Sequence, residues 1–331
     1  MFIMKIFLLR YLYFVLFLLC SQQASADWHR QEAAIMGTTV SVELWHEDAG
    51  EAKKLADAVL DEMRRIDNLM SSYKPASLLS SVNRNAATTA VQVNEELLLL
   101  LARSLEYSEL TEGAFDITYA SAGQYYDYRK GELPGKEQLE KSLTAIDYRH
   151  VKLDHAELTV SFLQKGVRID LGGIAKGYAV DRCIALLRQA GIRNAFVSAG
   201  GDTRVIGKRW KHPWIVGIRD PRNRDQIVSL IPLEDSAIST SGDYERYFEK
   251  DGTRYHHILN PGTGKSSSGV RSTSIIGQTA ITTDALSTSV FVLGVDEGMK
   301  LINSLGGTEA IIVDNQGKLH YSNGLEQVAR N

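Results

Sequence analysis

The sequence predicts a mixed α/β or α+β fold, built as one compact unit over residues 27–331 with room for two lobes. Three observations predict it. Segments with strand-like alternation and segments with helical periodicity are interspersed along the chain rather than segregated. No fixed-period repeat, low-complexity tract or Pro/Ser linker interrupts residues 27–331. With 44% hydrophobic and 23% charged residues and only 6 prolines in 331, the chain can bury a substantial core. A formal net charge of −3 supplies no basic excess for nucleic acid or an anionic membrane surface.

The elements follow in order. Lys5 and Arg10 flank the apolar run Tyr11 to Leu19, and Ala24-Ser25-Ala26 follows, which is the order of a secretory signal peptide cleaved after Ala26. A lipoprotein signal acylated at Cys20 is the competing reading, but bulky Leu19 stands where lipoprotein processing wants a small residue. A retained anchor helix is the third, and the run is shorter than the roughly 20 residues that span a bilayer. Cleavage removes two bases and no acids, leaving 35 basic against 40 acidic residues. It also leaves Cys183 as the sole cysteine, so no internal disulfide forms. Cys183 shares an apolar helical stripe with Ala179, Leu186, Leu187 and Ala190, as a buried structural thiol does.

Residues 35 to 45 alternate as a strand after Gly37, and Leu55, Val59, Met63, Ile66 and Met70 fall at helical spacing. Asn94 caps a leucine-rich helix that ends near Gly113. From Gly166, Val167, Ile169 and Leu171 alternate with Arg168 and Asp170, which predicts a strand. Gly172-Gly173 then turns the chain into a helix that stops at Gly191. Phe196 to Ser198 and Trp214 to Arg219 read as strands, and Thr283 to Leu293 as a helix.

Five motifs carry chemistry. Asp170-Leu-Gly-Gly-Ile-Ala-Lys176-Gly presents backbone N–H groups and a helix start to an anion such as phosphate, although a tight turn packing a helix on a sheet accounts for the same glycines. Asp284 and Thr288 lie four residues apart on one helix side and offer hard oxygens suited to Mg2+; the alternative is a helix cap at Thr283 or Asp284. His256-His257 precedes a Pro/Gly turn and points one ring at most toward a site. Gly113-Ala114-Phe115-Asp116 and Ser71-Ser-Tyr73 could hold a planar ring system or serve as core and turn.

Together and in this order, the motifs resemble the ApbE family of FAD:protein FMN transferases across nearly the whole exported chain. The resemblance rests on Met36-Gly-Thr38, Ser71-Ser-Tyr73, Gly113-Ala-Phe-Asp-Ile-Thr118, Asp170 to Asp181, Gly200-Gly-Asp202, Thr240-Ser-Gly-Asp-Tyr244, His257-Ile-Leu-Asn-Pro261 and Asp284-Ala-Leu-Ser-Thr288. It implies an FAD cleft, Mg2+, and transfer of FMN to a Thr or Ser hydroxyl of a target protein with release of AMP. It further implies flavin or adenosine contacts at Met36, Tyr73, Ala114, Phe115, Asp116 and Ile258. Asp170 and Lys176 would stand in the nucleotide groove, Gly173 (carbonyl), Asp284 and Thr288 would hold the metal, and His257 would be the base, with Lys176 catalytic beside it.

The implied partner is a flavoprotein subunit of a membrane electron-transfer complex, such as a sodium-pumping NADH:quinone reductase, and the implied location is periplasmic. Asn260, Leu78 and the stretch Tyr119 to Tyr128 depart from the family pattern. There are two rival readings: a Mg2+-dependent FAD pyrophosphatase that uses the same site with water in place of the protein hydroxyl, and a non-catalytic periplasmic flavin-binding or assembly protein, against which the joint presence of Asp284, Thr288, Lys176 and His257 argues.

Overall fold

The computed structural model describes residues 27–223 and 225–330, with side chains through residue 326. The expected signal segment, residues 1–26, lies outside the described residues. Among the described residues no helix is long and apolar enough to cross a membrane.

Eight antiparallel strands form the central sheet, and their spatial order is their order in the chain: β1 (Asp27–Ile35), β2 (Thr38–His46), β3 (Ala195–Ala199), β4 (Asp202–Ile206), β5 (Ala237–Gly242), β6 (Val270–Gly277), β7 (Glu309–Asp314) and β8 (Leu319–Tyr321). Helix α1 (Ala49–Met70) packs on β1 and β2. Helix α2 (Glu95–Leu110) follows in the long insertion between β2 and β3. Helix α3 (Ala175–Gln189) lies over β3 and β4, and α4 (Ala280–Ser304) over β5 to β7, so α1, α3 and α4 form one layer.

Strand alternation divides the apolar side chains between two cores. Ala195, Val197, Ala237, Ala310 and Ile312 face the helices. Phe196, Val205, Ile238, Ile276 and Ile311 face the hairpin Trp214–Arg219/Ile227–Leu233, whose Trp214, Ile218, Ile231 and Leu233 cover the other side of the sheet.

The α+β expectation holds in this arrangement, and α1 carries Val59, Met63, Ile66 and Met70 buried on one side. Asn94 caps α2 by accepting from the Leu97 amide at 3.0 Å. Two expectations differ from the structure. Val167, Ile169 and Leu171 are buried and their neighbours are not, yet residues 167–171 join no sheet. Their backbone is satisfied one group at a time: the Arg168 amide donates to Ser121, Ile169 exchanges two bonds with the Asn83 amide group, and the Asp170 amide donates to the Ile117 carbonyl at 2.9 Å. An extended chain needs its donors and acceptors paired, and side chains serve as well as a strand does.

The second difference is the extent of α4. It begins at Ala280, three residues before the predicted start, because the carboxylate of Asp181 on α3 accepts from both the Ala280 and Ile281 amides at 2.9 Å. It continues beyond Leu293 through a kink at Gly294, whose φ is 83°.

Candidate functional site

Five chain segments converge where α3 and α4 begin. Gly177, in the first turn of α3, lets the two helices touch: a Cβ there would lie 2.2 Å from the Ala280 carbonyl oxygen. Its amide donates to Asp284 Oδ2 at 2.9 Å. Asp284 Oδ1 stands 3.7 Å from Lys176 Nζ, and Lys176 also donates to Asp202 at the start of β4. Asp202 reaches this point because β3 and β4 are joined by the tight Gly200-Gly201 turn. Gly200 has φ 65°, and a Cβ on Gly201 would lie 2.6 Å from the Thr240 carbonyl oxygen.

Two buried carboxylates thus share one ammonium. Burial and the neighbouring Asp202 push the Asp284 carboxyl up to about 7 against the opposing pull of Lys176 and the Gly177 amide. Burial disfavours the Lys176 charge, but the two carboxylates outweigh it and hold that ammonium above its usual range. Such a surplus of negative charge favours an added cation.

The remaining oxygens are close by. Thr288, one turn along α4 from Asp284, has its hydroxyl 3.3 Å from Ser241. Gly173 packs against it, since a Cβ on Gly173 would lie 3.1 Å from Thr288 Oγ1 and 3.2 Å from Phe115 Cε2. Gly173, Asp284 and Thr288 therefore stand together beside a negative cluster. Among the described residues no group of three or more His, Cys, Asp or Glu side chains is set for a metal. One carboxylate, one hydroxyl and backbone are a sparse donor set that suits a hard cation completed by phosphate and water.

The helix-cap alternative for Thr283 and Asp284 gives way to Asp181, which occupies that role. Thr283 is buried one turn inside α4 and bonds Ser239 at 2.8 Å.

The paired histidines separate cleanly. His256 is buried, edge-on to Phe291. Its Nε2–H donates to the Ser267 carbonyl at 2.8 Å and its Nδ1 accepts from the Ile258 amide at 3.3 Å. Burial lowers its proton affinity and both ring nitrogens are used. His257 is part-buried, and its Nδ1 is closed off from solvent without a hydrogen bond. Burial and the charges of Arg246, His256 and Lys176 bring its pKa down to about 3, so the ring is neutral.

Met36 and Gly37 close the β1–β2 hairpin with φ of 54° and 71°, the paired left-handed geometry of a type I′ turn. A Cβ on Gly37 would lie 3.1 Å from Arg246 Nη2, which places this turn beside the His257 segment. Asp170 accepts from Ser72, from Tyr119 at 3.0 Å and from the Gly172 amide at 2.8 Å. Tyr73, next to Ser72, is 80% exposed.

Phe115 is buried edge-on to Tyr107. Asp116 is buried with both oxygens occupied, one by Thr118 and the other by the Tyr148 amide at 2.8 Å, while Ala114 is part-buried. Ile258 is buried behind the histidines.

Comparison with known proteins decides the family. Residues 36–312 match the model of the ApbE family. The chain belongs to the ApbE family. It is 30% identical over 325 residues to the FAD:protein FMN transferase of Treponema pallidum, covering 92% of this chain and 90% of that one. The crystal structure of the ApbE protein from Thermotoga maritima superposes with a TM-score of 0.85 at 36% identity, covering 92% of this chain and 100% of that one. The flavin transferase ApbE from Vibrio cholerae gives 0.81 at 27% identity, over 91% and 99%.

Within this ApbE-family chain, the sequence motifs give no individual role to Asp202, Tyr119 or Arg246, and they place Ser72 beside a ring system, not on Asp170. Asp202 had a signal, an acid directly after a Gly-Gly turn. Nothing in the sequence pairs Asp170 with Ser72 or Tyr119, which are 98 and 51 residues from it.

Proposed function

We propose that this chain is an enzyme, an FAD:protein FMN transferase, which moves the FMN half of FAD onto a Ser or Thr hydroxyl of a partner protein and releases AMP. The observation that carries the reading is the cluster of Lys176, Asp202 and Asp284 beside Gly173 and Thr288. Family membership supports the substrate, since the curated relatives bear that activity in their names. The sequence of residues 1–26 supports export, so the reaction is proposed outside the cytoplasm, on a membrane electron-transfer flavoprotein.

Gly173, Asp284 and Thr288 would hold Mg2+. Bound there, Mg2+ supplies positive charge to the pyrophosphate and its departing oxygen. The chain's own residues do the rest. Lys176, at the start of α3, faces the same phosphates with the N–H groups of the Gly172-Gly173 turn. The acceptor hydroxyl oxygen bonds to the FMN phosphorus, the bond from that phosphorus to the AMP oxygen breaks, and the electron pair leaves with AMP.

The hydroxyl proton passes to a ring nitrogen of His257, neutral and without a hydrogen bond at Nδ1. A ring held near 3 is a weak base, and its depression comes partly from Arg246 and Lys176. Substrate phosphates beside those cations offset them and raise the basicity of His257 when FAD is bound.

The test is a Mg2+ titration of transfer by wild type and Asp284→Ala. The expected result is a saturable dependence in wild type and none in the variant; full turnover of the variant at every Mg2+ level contradicts the assignment.

A further inference from the structure

Four rings form a ladder beside His257. Tyr126 and Tyr128 stack with centroids 5.7 Å apart and planes 11° from parallel. Tyr128 meets Phe248 at 6.2 Å, and Phe248 stacks on Tyr255 at 5.3 Å and 19°. The ladder joins the stretch that departs from the family pattern to the hairpin Tyr247–Lys250/Thr253–His256, where Phe248 and Tyr255 are cross-strand partners.

The ladder is firmly seated. Tyr126 donates to the Gly264 carbonyl at 2.8 Å, and a Cβ on Gly131 would lie 3.5 Å from the Phe248 ring. All four rings are only part-buried. Among the described residues neither the Tyr128 nor the Tyr255 hydroxyl has a hydrogen-bond partner.

The hairpin sets the direction of these side chains. The His257 amide donates to the Arg246 carbonyl at 3.1 Å, so pairing continues one step beyond Tyr247 and His256. His256 points inward against Phe291; by alternation Tyr255 and His257 share the opposite side, ~7 Å apart along the strand. A polypeptide that brings a hydroxyl to His257 advances at most about 3.3–3.6 Å per residue, so a residue two positions from the acceptor can reach the ~7 Å to Tyr255, where the ladder begins.

We infer that the ladder of Tyr126, Tyr128, Phe248 and Tyr255 is the seat of the acceptor segment and selects acceptors with apolar side chains beside the modified residue. The inference rests on the transferase reading of the His257 site. Ring surface receives the flanking side chains, and the Tyr128 and Tyr255 hydroxyls receive acceptor backbone groups.

The experiment uses the full chain with FAD, Mg2+ and two sets of short peptides centred on Thr, one flanked by Leu, Ile and Val and the other by Ser, Asn and Gly. Wild type is expected to show a KM about tenfold lower for the apolar set, the effect of burying one or two methylenes or more. Phe248→Ser and Tyr128→Ser should raise that KM about tenfold, while the Kd for FAD, read by flavin fluorescence, stays constant; Phe248→Leu should restore it. Equal KM for both sets in wild type overturns the inference. So does a rise in KM that appears only with weaker FAD binding and a lower Tm, since the rings would then merely brace the hairpin. If wild type splits FAD yet modifies neither set, the transferase reading itself fails and the inference falls with it.

Discussion

The backbone amide of Gly177 donates to Oδ2 of Asp284 at 2.9 Å, so the helix that carries Lys176 and the helix that carries Thr288 meet at a carboxylate of the site itself. No side chain is tolerated at that crossing, because a Cβ would fall 2.2 Å from backbone. Gly177→Ala should therefore cost on the order of 1–3 kcal/mol in urea unfolding and also weaken the response of activity to Mg2+. A variant with unchanged stability and unchanged Mg2+ dependence would show that the helices can part without harm.

Asp181 holds the N-terminus of α4 from outside that helix and also pairs with Arg204 at 2.6 Å. Asp181→Ala should lower stability by about 1–2 kcal/mol, the usual loss for a side-chain cap. Hydrogen exchange at Ala280 and Ile281 should speed up before exchange in the central strands. Uniform change across the sheet would contradict this.

How much of this was legible beforehand differs from one residue to the next. Periodicity placed α1 and α2, because their apolar spacing is a property of the helix alone. It read the alternation of residues 167–171 correctly, and still named a strand, because Asn83, Ser121 and Ile117 supply bonds that a strand would otherwise supply. The start of α4 was hidden for the same reason: its cap lies 99 residues upstream. The resemblance carried by the motifs, not their spacing alone, brought Asp284, Thr288, Gly173, Lys176 and His257 forward. It could not pair Lys176 with Asp202, which depends on how β3 turns into β4.

The two histidines should fail in different ways. His256→Ala empties a buried position whose two ring nitrogens are both bonded, and should cost on the order of 2–3 kcal/mol. His257→Ala should keep its Tm within a few degrees and lose on the order of 10²- to 10⁴-fold in single-turnover transfer. Reversal of the two outcomes would move the base to His256.

The depressed pKa of His257 has a consequence for stability. The folded ring stays neutral down to about 3, whereas an unfolded ring takes a proton below its usual 6.5. The unfolded state therefore binds more protons across that window, and stability is complete above it and falls as pH drops through it. His257→Asn should flatten the acid side of the stability–pH curve between about 6.5 and 3. An unchanged slope would mean that the ring is protonated in the fold.

Lys176 joins two buried carboxylates, so Lys176→Met should disturb folding as well as catalysis. Breaking such a pair costs about 3–5 kcal/mol when the charges left behind are uncompensated. Added Mg2+ should return part of the lost Tm. A variant with wild-type Tm in the presence of chelator would show that the carboxylates do not depend on the lysine.

The central claim is covalent transfer, and intact-protein mass spectrometry tests it most directly. Acceptor protein or Thr-centred peptide is incubated with this chain, FAD and Mg2+, then denatured and weighed while AMP is quantified. The expected result is an acceptor heavier by one FMN, one AMP per acceptor modified, and neither product with Asp284→Ala. Equal FMN and AMP with an unmodified acceptor would contradict it and make the chain a pyrophosphatase.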